Sequence, residues 1–340
     1  MKRLHIKQKV IVQIFCGMLT ALLAAGCFDF EANHMVTKFK ILAVTTEPAE
    51  ISPGEGFDME VLYADPTGEG RAVSFAWFMC VNGISATTPL SPQIGMQACV
   101  PAVPPRVGSV DDDGHIFVAE STPENLMDLY PDALLNQPGG VPLDAQLVYV
   151  TAVVVACAGG QLPVQAELAA AVKTVENPRD LCVGGDGVAA YKALRISPAE
   201  NQTPNENPVI QQITLDGQQV PLADVSGTPD EVPISLTCKA VDDCNVKTDI
   251  NVFLSAASRQ SYHTKSADGF EPAVETLYVT WFITGGELNK DRTIADKPVG
   301  PYEAEWEVDE PGLYTFWAVA HDTRGGVSFE TFNVQVTPEQ

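Results

Sequence analysis

Two short runs with the same pattern constrain the fold of this chain more than any other feature. Val73 to Phe78 reads VSFAWF and Leu277 to Phe282 reads LYVTWF, so each run ends on Trp-Phe after several β-branched and aromatic residues. Such residues favour strands, and short apolar runs of this kind favour strands over helices. The repeat predicts two copies of one β-rich plan, with Trp77 and Trp281 both in a core.

A longer apolar run follows each copy. These runs span Gln146 to Cys157 and Gly312 to Gly326, and they carry apolar residues at both odd and even positions. Successive side chains of a strand point to opposite faces, so we interpret both runs as central strands. Short strands separated by turn residues predict an all-β chain with two β-sandwich domains in tandem.

The segment PGLYTFWAVAHDTRGGVSFETFNVQV resembles the last hairpin of immunoglobulin-like and PKD-type domains. In those domains Gly-x-Tyr-Thr precedes an alternating strand, a turn and a final strand. The resemblance implies that Tyr314 is the corner tyrosine, Trp281 the core tryptophan of strand C, and Asp322 to Gly326 the F-G turn. Phe-Ile-Thr-Gly-Gly follows Trp281, so the PKD turn is missing and the resemblance is immunoglobulin-like.

The first predicted sandwich is the more irregular of the two. It covers residues 38–198 and contains two expected insertions of loops and short helices, at about 82–145 and 159–187. The second insertion includes VQAELAAAVKTV, whose apolar residues fall on one helical stripe. We expect this helix to pack against the sheet.

A polar segment separates the two predicted sandwiches. SPAENQTPNENP contains three prolines and no large apolar residue, which predicts a linker at residues 199–207 and a second domain at 208–338. The prolines suggest an extended spacer with the two domains placed end to end.

The N-terminus has the pattern of an export signal. Residues 1–9 carry four basic side chains and no acid, and the next seventeen residues carry no charge. Ala24-Ala25-Gly26-Cys27 follows, and this sequence resembles the lipobox of bacterial lipoproteins. The resemblance implies a signal peptide at residues 1–26, acylation of Cys27, and a tether at residues 27–37.

Several consequences follow from this resemblance. A multiply acylated Cys27 would hold the chain on a bilayer, which predicts a lipid-anchored protein of the bacterial cell envelope. Phe28 rather than Asp follows the cysteine, which favours the outer membrane. Ala24 stands where the family usually has Leu, so ordinary signal cleavage after small residues is the alternative.

Six cysteines remain after the signal and the anchor, and an even number in an oxidising compartment indicates disulfides. In an immunoglobulin-like sheet, Cys80 and Cys157 would lie at opposite edges, too far apart to bond. Sequential pairing therefore fits better than the other connectivities. The predicted pairs are Cys80 with Cys99, Cys157 with Cys182, and Cys238 with Cys244.

The charge of the chain excludes one class of partner. Without the four basic residues of the signal, 16 Lys and Arg face 44 Asp and Glu. Such an acidic surface repels phosphate backbones, so we expect no nucleic-acid partner.

No sequence motif points to catalysis. The histidines are widely spaced, and HExxH, GxSxG and SxxK are absent from the sequence. Asp111 and Asp113 in VDDDGHIF are calcium candidates, but the three consecutive Asp residues lack the alternate spacing of an EF-hand loop. A solvated turn is the favoured interpretation, and we expect no cofactor and no metal.

Four aromatic residues lie outside the clearest core positions, and such side chains can bind sugars. Core or edge packing is the favoured interpretation for all of them. They are Tyr262, Tyr278, Tyr302 and Trp306.

The sequence favours a non-enzymatic function. The prediction is an envelope lipoprotein that acts as a binding or scaffolding module for an envelope protein or polysaccharide, with contacts on the insertions of the first domain. The alternative is an envelope polysaccharide hydrolase or carbohydrate-binding protein with its site in the same insertions, because paired carboxylates leave no sequence motif.

Overall fold

The structure is a computed structural model that describes residues 33–340, except 69, 82–99, 110–115, 123, 125–140, 199, 202, 223–233, 267–268, 295–298 and 340. Residues 34–340 form one compact unit. Strands dominate this unit, and the prediction of an all-β fold is confirmed.

Eight strands form the first sandwich. They are β1 (Lys40–Glu47), β2 (Glu50–Ile51), β3 (Gly56–Ala64), β4 (Val73–Val81), β5 (Val100–Ser109), β6 (Ile116–Ser121), β7 (Val148–Ala158) and β8 (Asp186–Ile196). Sheet 1 has the order β2-β8-β7-β4-β5, and sheet 2 has the order β1-β3-β6. Phe75 and Val154 of sheet 1 pack against Phe57 and Met59 of sheet 2 in a common core.

Twelve strands follow. They are β9 (Ile210–Leu215), β10 (Gln218–Val220), β11 (Ile234–Cys238), β12 (Val246–Leu254), β13 (Ser261–Ser266), β14 (Gly269–Val274), β15 (Tyr278–Ile283), β16 (Glu287–Leu288), β17 (Arg292–Ile294), β18 (Tyr302–Val308), β19 (Gly312–His321) and β20 (Val327–Pro338). Sheet 3 has the order β11-β20-β19-β15-β17, and sheet 4 has the order β10-β9-β12-β18-β16. Strands β13 and β14 form a separate hairpin.

Large aromatic side chains fill the core of the second sandwich. Trp281, Trp306 and Phe316 are completely buried there, and Tyr302 also lies inside. The Tyr314 hydroxyl donates a 2.8 Å hydrogen bond to the Glu310 carbonyl, the backbone contact that a corner tyrosine makes. Because Tyr302 and Trp306 are buried in this core, their side chains are unavailable to bind sugar.

One short α-helix covers the outer face of sheet 1. Helix α1 (Gln165–Val172) buries Leu168 and Val172 against Phe78, Val153 and neighbouring side chains. Three 3-10 helices complete the described elements, at Leu143–Ala145, Pro178–Leu181 and Ala256–Ser258. The expected packing of the second insertion against the sheet is present.

The first insertion differs from the expectation of loops. Residues 82–145 contain β5, which pairs with β4 in sheet 1, and β6, which pairs with β3 in sheet 2. Each is the edge strand of its sheet. The alternation expected of strands is obscured because β5 reads VPAVPPRVGS, with three prolines, and proline is tolerated at a sheet edge.

The two sandwiches pack face to face, which differs from the predicted end-to-end arrangement. Leu42 and Leu62 on the outer face of sheet 2 contact Trp317, Val319 and Val327 on the outer face of sheet 3. The four sheets therefore stack in the order 1-2-3-4. The burial of β19 on both faces follows from this stack, because Phe316 faces sheet 4 while Trp317 faces sheet 2.

The start of the described chain also differs from a free tether. The Val36 N–H donates to the Ile283 carbonyl at 2.8 Å, and the Ile283 N–H donates to the His34 carbonyl at 2.9 Å. Val36 is buried in the layer between sheets 2 and 3. Residues 34–36 thus belong to the folded unit.

Candidate functional site

The junction between the sandwiches contains a buried polar cluster. It is built on the turn Asp322–Gly326, which joins β19 to β20. The Asp322 Oδ1 accepts hydrogen bonds from the N–H groups of Arg324 and Gly326, at 2.7 and 2.8 Å. Its Oδ2 accepts from Asn205 Nδ2 at 3.0 Å. Two of these bonds lie within the turn, and the third holds it from the Asn205 side chain.

Arg324 extends from this turn into the first sandwich. Its Nη2 donates to Glu50 Oε2 at 2.9 Å, and its Nη1 donates to Glu275 Oε1 at 3.3 Å. The guanidinium carbon lies 5.3 Å from the centre of the Tyr262 ring. The Arg324 side chain is 1% exposed and both carboxylates are fully buried. Buried charges of this kind need partners, and Arg324 is shared by one carboxylate on each side of the junction.

Further contacts extend the cluster into sheet 1. Arg195 Nε donates to Glu50 Oε2 at 3.1 Å, and Arg195 Nη1 donates to the Tyr149 hydroxyl at 3.1 Å. The other Glu50 oxygen, Oε1, accepts from Asn201 Nδ2 at 2.7 Å. Glu50 is therefore held by two arginines and an amide.

Glu275 is less well compensated than Glu50. Burial raises the pKa of Glu275 to about 7, and the N–H of Gln260 and the nearby Arg324 oppose that rise. The Gln260 N–H donates to Glu275 Oε2 at 3.0 Å. Glu275 therefore gains or loses its proton near neutral pH, and its charge changes there.

The predicted linker takes part in the junction instead of acting as a spacer. Asn207 Nδ2 donates to the Thr46 carbonyl at 2.7 Å, and Asn207 Oδ1 accepts from the Val327 N–H at 2.9 Å. One asparagine thus bonds to both sandwiches. Thr45 also donates to the Val327 carbonyl, at 2.6 Å. These bonds fix the sandwiches relative to each other.

A cavity of about 300 Å³ lies beside this cluster. Lys192 of β8 and His321 of β19 both line it, and Lys192 donates a short hydrogen bond to the Gly325 carbonyl. Burial lowers the pKa of Lys192 to about 8, although Asp322 opposes this. Burial, with the positive charges of Lys192 and Arg292, lowers the pKa of His321 to about 4. At neutral pH the cavity therefore holds an ammonium group and an uncharged imidazole.

A second, more open groove of about 400 Å³ lies on the first sandwich. Glu120 Oε1 accepts from Trp77 Nε1 at 3.2 Å and pairs with Arg106 Nε at 2.8 Å. Asp58 and Glu47 also line this groove. Trp77 is thus half-buried beside the core, and its indole N–H is used to hold a carboxylate.

The end of the first insertion contacts the β13–β14 hairpin. Asp144 accepts from the His263 backbone N–H at 2.8 Å, and His263 Nδ1 lies 3.1 Å from both carboxylate oxygens. This contact is a further connection between the two sandwiches. Deleting the whole first insertion would remove it together with β5 and β6.

The cysteines predicted to form disulfides are partly described. Cys157 bonds to Cys182 with the Cα atoms 5.2 Å apart, and Cys238 bonds to Cys244 with the Cα atoms 4.8 Å apart. Cys80 is also disulfide-bonded. Its predicted partner Cys99 lies outside the described residues.

The predicted lipidation and calcium sites cannot be placed on this fold. Cys27, Asp111 and Asp113 lie outside the described residues. Within the described ranges, no group of three or more His, Cys, Asp or Glu side chains could hold a metal ion. None of the helices in those ranges has the length and apolar character needed to cross a bilayer.

The residues of the junction escaped sequence reasoning. Arg324 and Glu50 are 274 positions apart, so no local pattern links them. Asp322 to Gly326 was expected to form a turn, but its burial under another sandwich was not. The preceding strand carries apolar residues on both of its faces, and this pattern could have indicated the burial of the turn. Trp317 and Val319 need a second sheet to cover them.

Comparisons with known proteins add little to this geometry. No family model matches the chain, and no curated protein matches it. One solved structure that is similar to the chain is dimeric latent PorU from Porphyromonas gingivalis, with 10% sequence identity and a TM-score of 0.21. That alignment covers 89% of this chain but 24% of the PorU chain, so this chain spans about a quarter of that protein's length. The functional argument therefore depends on the residues of this chain.

Proposed function

We propose that the chain is an envelope lipoprotein, anchored through Cys27, that acts as a non-enzymatic binding or scaffolding module. The observation that supports a scaffolding role most directly is the burial of Arg324 between Glu50 and Glu275. The F-G turn, which is often free to bind ligands in sandwich domains, is used here to join two sandwiches into one unit. A rigid unit of this kind can present a partner-binding loop in a fixed direction.

The first insertion is the proposed source of the partner contacts. The second insertion, residues 159–187, has a structural role, because α1 covers sheet 1 and the Cys157–Cys182 disulfide closes the segment. Strands β5 and β6 belong to the sheets. Of the connections that remain within the first insertion, we place binding to an envelope protein or polysaccharide on residues 82–99, which join β4 to β5.

The register of β4 and β5 allows a sharp test of this segment. Val81 lies opposite Val100 in an antiparallel pair, so a two-residue Asn-Gly turn can replace residues 82–99. The variant also needs Cys80→Ala, because its predicted partner is removed. Cys80→Ala with Cys99→Ala, with the segment kept, is the matched control. We expect the control to retain capture of an envelope partner and the shortened variant to lose it, whereas equal capture by both would refute the assignment.

The anchor and the alternative function have separate tests. A Cys27→Ser variant should move from the membrane fraction to the soluble fraction, since it cannot be acylated. Turnover of envelope polysaccharide by the purified chain would favour the hydrolase alternative and contradict a non-enzymatic role.

A further inference from the structure

The cavity beside Lys192 has walls from both sandwiches. Residues 41–44 of β1 and 190–193 of β8 form one side, and His321, Gly325 and Val327 form the other. Its volume of about 300 Å³ is at the lower end of the range for ligand pockets. Junctions between domains are a common place for such pockets. The cavity is therefore of a size and position suited to a small ligand.

The charge of the lining is opposite to the charge of the chain. The protein has a formal net charge of −24, but the described residues that line this cavity include no Asp or Glu. The polar side chains of the lining are those of Lys192, His321 and Tyr191, and the remaining side chains are apolar or glycine. All three polar side chains can donate a hydrogen bond. The lining thus suits a ligand with an anionic end and an apolar body.

Lys192 lacks a direct anionic partner among the described residues. An ammonium group has three N–H donors, and the hydrogen bond that the structure gives Lys192 goes to the uncharged Gly325 carbonyl. The nearest acidic influence is Asp322, whose oxygens are already taken by the N–H groups of Arg324 and Gly326 and by Asn205. A buried cation without a bonded anion is costly, and its lowered pKa reflects that cost.

The backbone is irregular at both walls of the cavity. The pairing of β1 with β3 shifts register between Ile41 and Ala43, as at a β-bulge or a similar irregularity. On the opposite wall, Gly325 has a φ of 103°, a conformation that favours glycine. Bulges redirect side chains and are frequent beside functional sites.

We propose that this cavity binds a small organic carboxylate, with the carboxylate group paired to the Lys192 ammonium. The apolar part of the ligand lies against Leu42, Ala43 and Val327, which belong to the apolar layer between the sandwiches. The inference goes beyond the proposed function, because it assigns a ligand class to a site that is separate from the 82–99 segment.

The pH dependence of binding follows from the groups that face Lys192. Those groups are Asp322 and His321, with Arg292 behind His321, from the second sandwich, and Tyr191 from its own strand. The facing segment 41–44 of β1 contributes no titratable side chain. Since only the ammonium form attracts a carboxylate, affinity should hold up to about pH 8 and then fall by up to about tenfold per pH unit.

The test uses hexanoate as the probe, titrated into the purified full chain by isothermal titration calorimetry. Hexanamide, which has the same shape without the charge, is the matched ligand control. We expect saturable binding of hexanoate at one site and at least tenfold weaker binding of hexanamide. Hexanamide binding as tightly as hexanoate, or no saturable hexanoate binding, would overturn the proposal.

Two variants identify the site. Lys192→Met keeps the apolar stem but removes the charge, and it should weaken hexanoate binding at least tenfold. Lys239→Met is the matched control, because the Lys239 side chain is 80% exposed and does not line the cavity. This variant should bind hexanoate like the unaltered chain. Unchanged affinity in Lys192→Met would refute the assignment. The pH profile of the unaltered chain tests the same claim if Lys192→Met does not fold, and a flat profile between pH 7 and 10 would refute it.

These outcomes are separable from the test of the proposed function. Lys192-dependent hexanoate binding without partner capture would overturn the assignment of the 82–99 segment and leave the carboxylate site standing. Partner capture without hexanoate binding would overturn the carboxylate site alone.

Discussion

Replacing Arg324 with methionine tests the idea that one buried guanidinium holds the two sandwiches together. The change keeps an apolar stem of similar shape but removes both carboxylate contacts, at 2.9 Å to Glu50 and 3.3 Å to Glu275. Glu50 would still be held by Arg195 and Asn201. Glu275 would keep the Gln260 N–H but lose the cation that pairs with its carboxylate, so it bears most of the loss.

The expected cost is large for a single substitution. Removing one partner of a buried ion pair typically destabilises a protein by about 3 to 5 kcal/mol, because the other charge is left uncompensated. Because Glu275 has a pKa of about 7 and can take up a proton once Arg324 is lost, Arg324→Met should lower the free energy of unfolding by about 3 kcal/mol, the lower end of that range, at pH 7.5. Adding Glu275→Gln removes the uncompensated charge, so the double variant should recover about 1 to 3 kcal/mol relative to the single variant.

Urea unfolding followed by tryptophan fluorescence is a suitable assay. The chain has four tryptophans, and Trp281, Trp306 and Trp317 are buried, so the change in total emission reports on global unfolding. Arg179→Met is the control, because Arg179 is 64% exposed and pairs loosely with Asp180, and it should change stability by less than about 0.5 kcal/mol. A cost below about 1 kcal/mol for Arg324→Met, or a double variant no more stable than the single one, would refute the reasoning.

Two further predictions concern pH and the disulfides. The raised pKa of Glu275, about 7 against an ordinary 4.5, means that this group loses folding stability as pH rises from about 4.5 to about 7. The stability of the unaltered chain relative to Glu275→Gln should therefore fall by at most about 3 kcal/mol across that window in urea titrations, and a constant difference would contradict this. Replacing both cysteines of Cys157–Cys182 with alanine should cost about 3.5 kcal/mol, and replacing both of Cys238–Cys244 about 2 kcal/mol, because the closed loops differ in length, with sequence separations of 25 and 6. Calorimetric melting checks this order, and a reversed order would show that native-state effects outweigh loop closure.

The fold was predictable where its signals are local. The runs around Trp77 and Trp281 are strands, and α1 lies on sheet 1 as its apolar stripe indicates. The prediction from sequence was wrong at β5, because its three prolines made an edge strand look like part of a loop. The linker was also mispredicted, because its polar asparagines looked solvated, whereas Asn205 bonds to Asp322 and Asn207 bonds to both sandwiches.

The candidate sites were not predictable from the sequence, for a physical reason. A buried ion pair depends on which faces meet in three dimensions, and Glu50 and Glu275 come from different sandwiches to contact one arginine. Lys192 lies in a strand whose neighbours are ordinary small and aromatic residues, so nothing nearby in the sequence marks its burial. Only the two-faced apolar pattern of β19 carried information about the stack.

The most direct test of the proposed anchored function is mass spectrometry of the mature N-terminal peptide purified from membranes. The account predicts a peptide that begins at Cys27 and carries the added mass of several acyl chains. A peptide that contains Cys27 with an unmodified thiol, or a mature N-terminus at another residue, would contradict it.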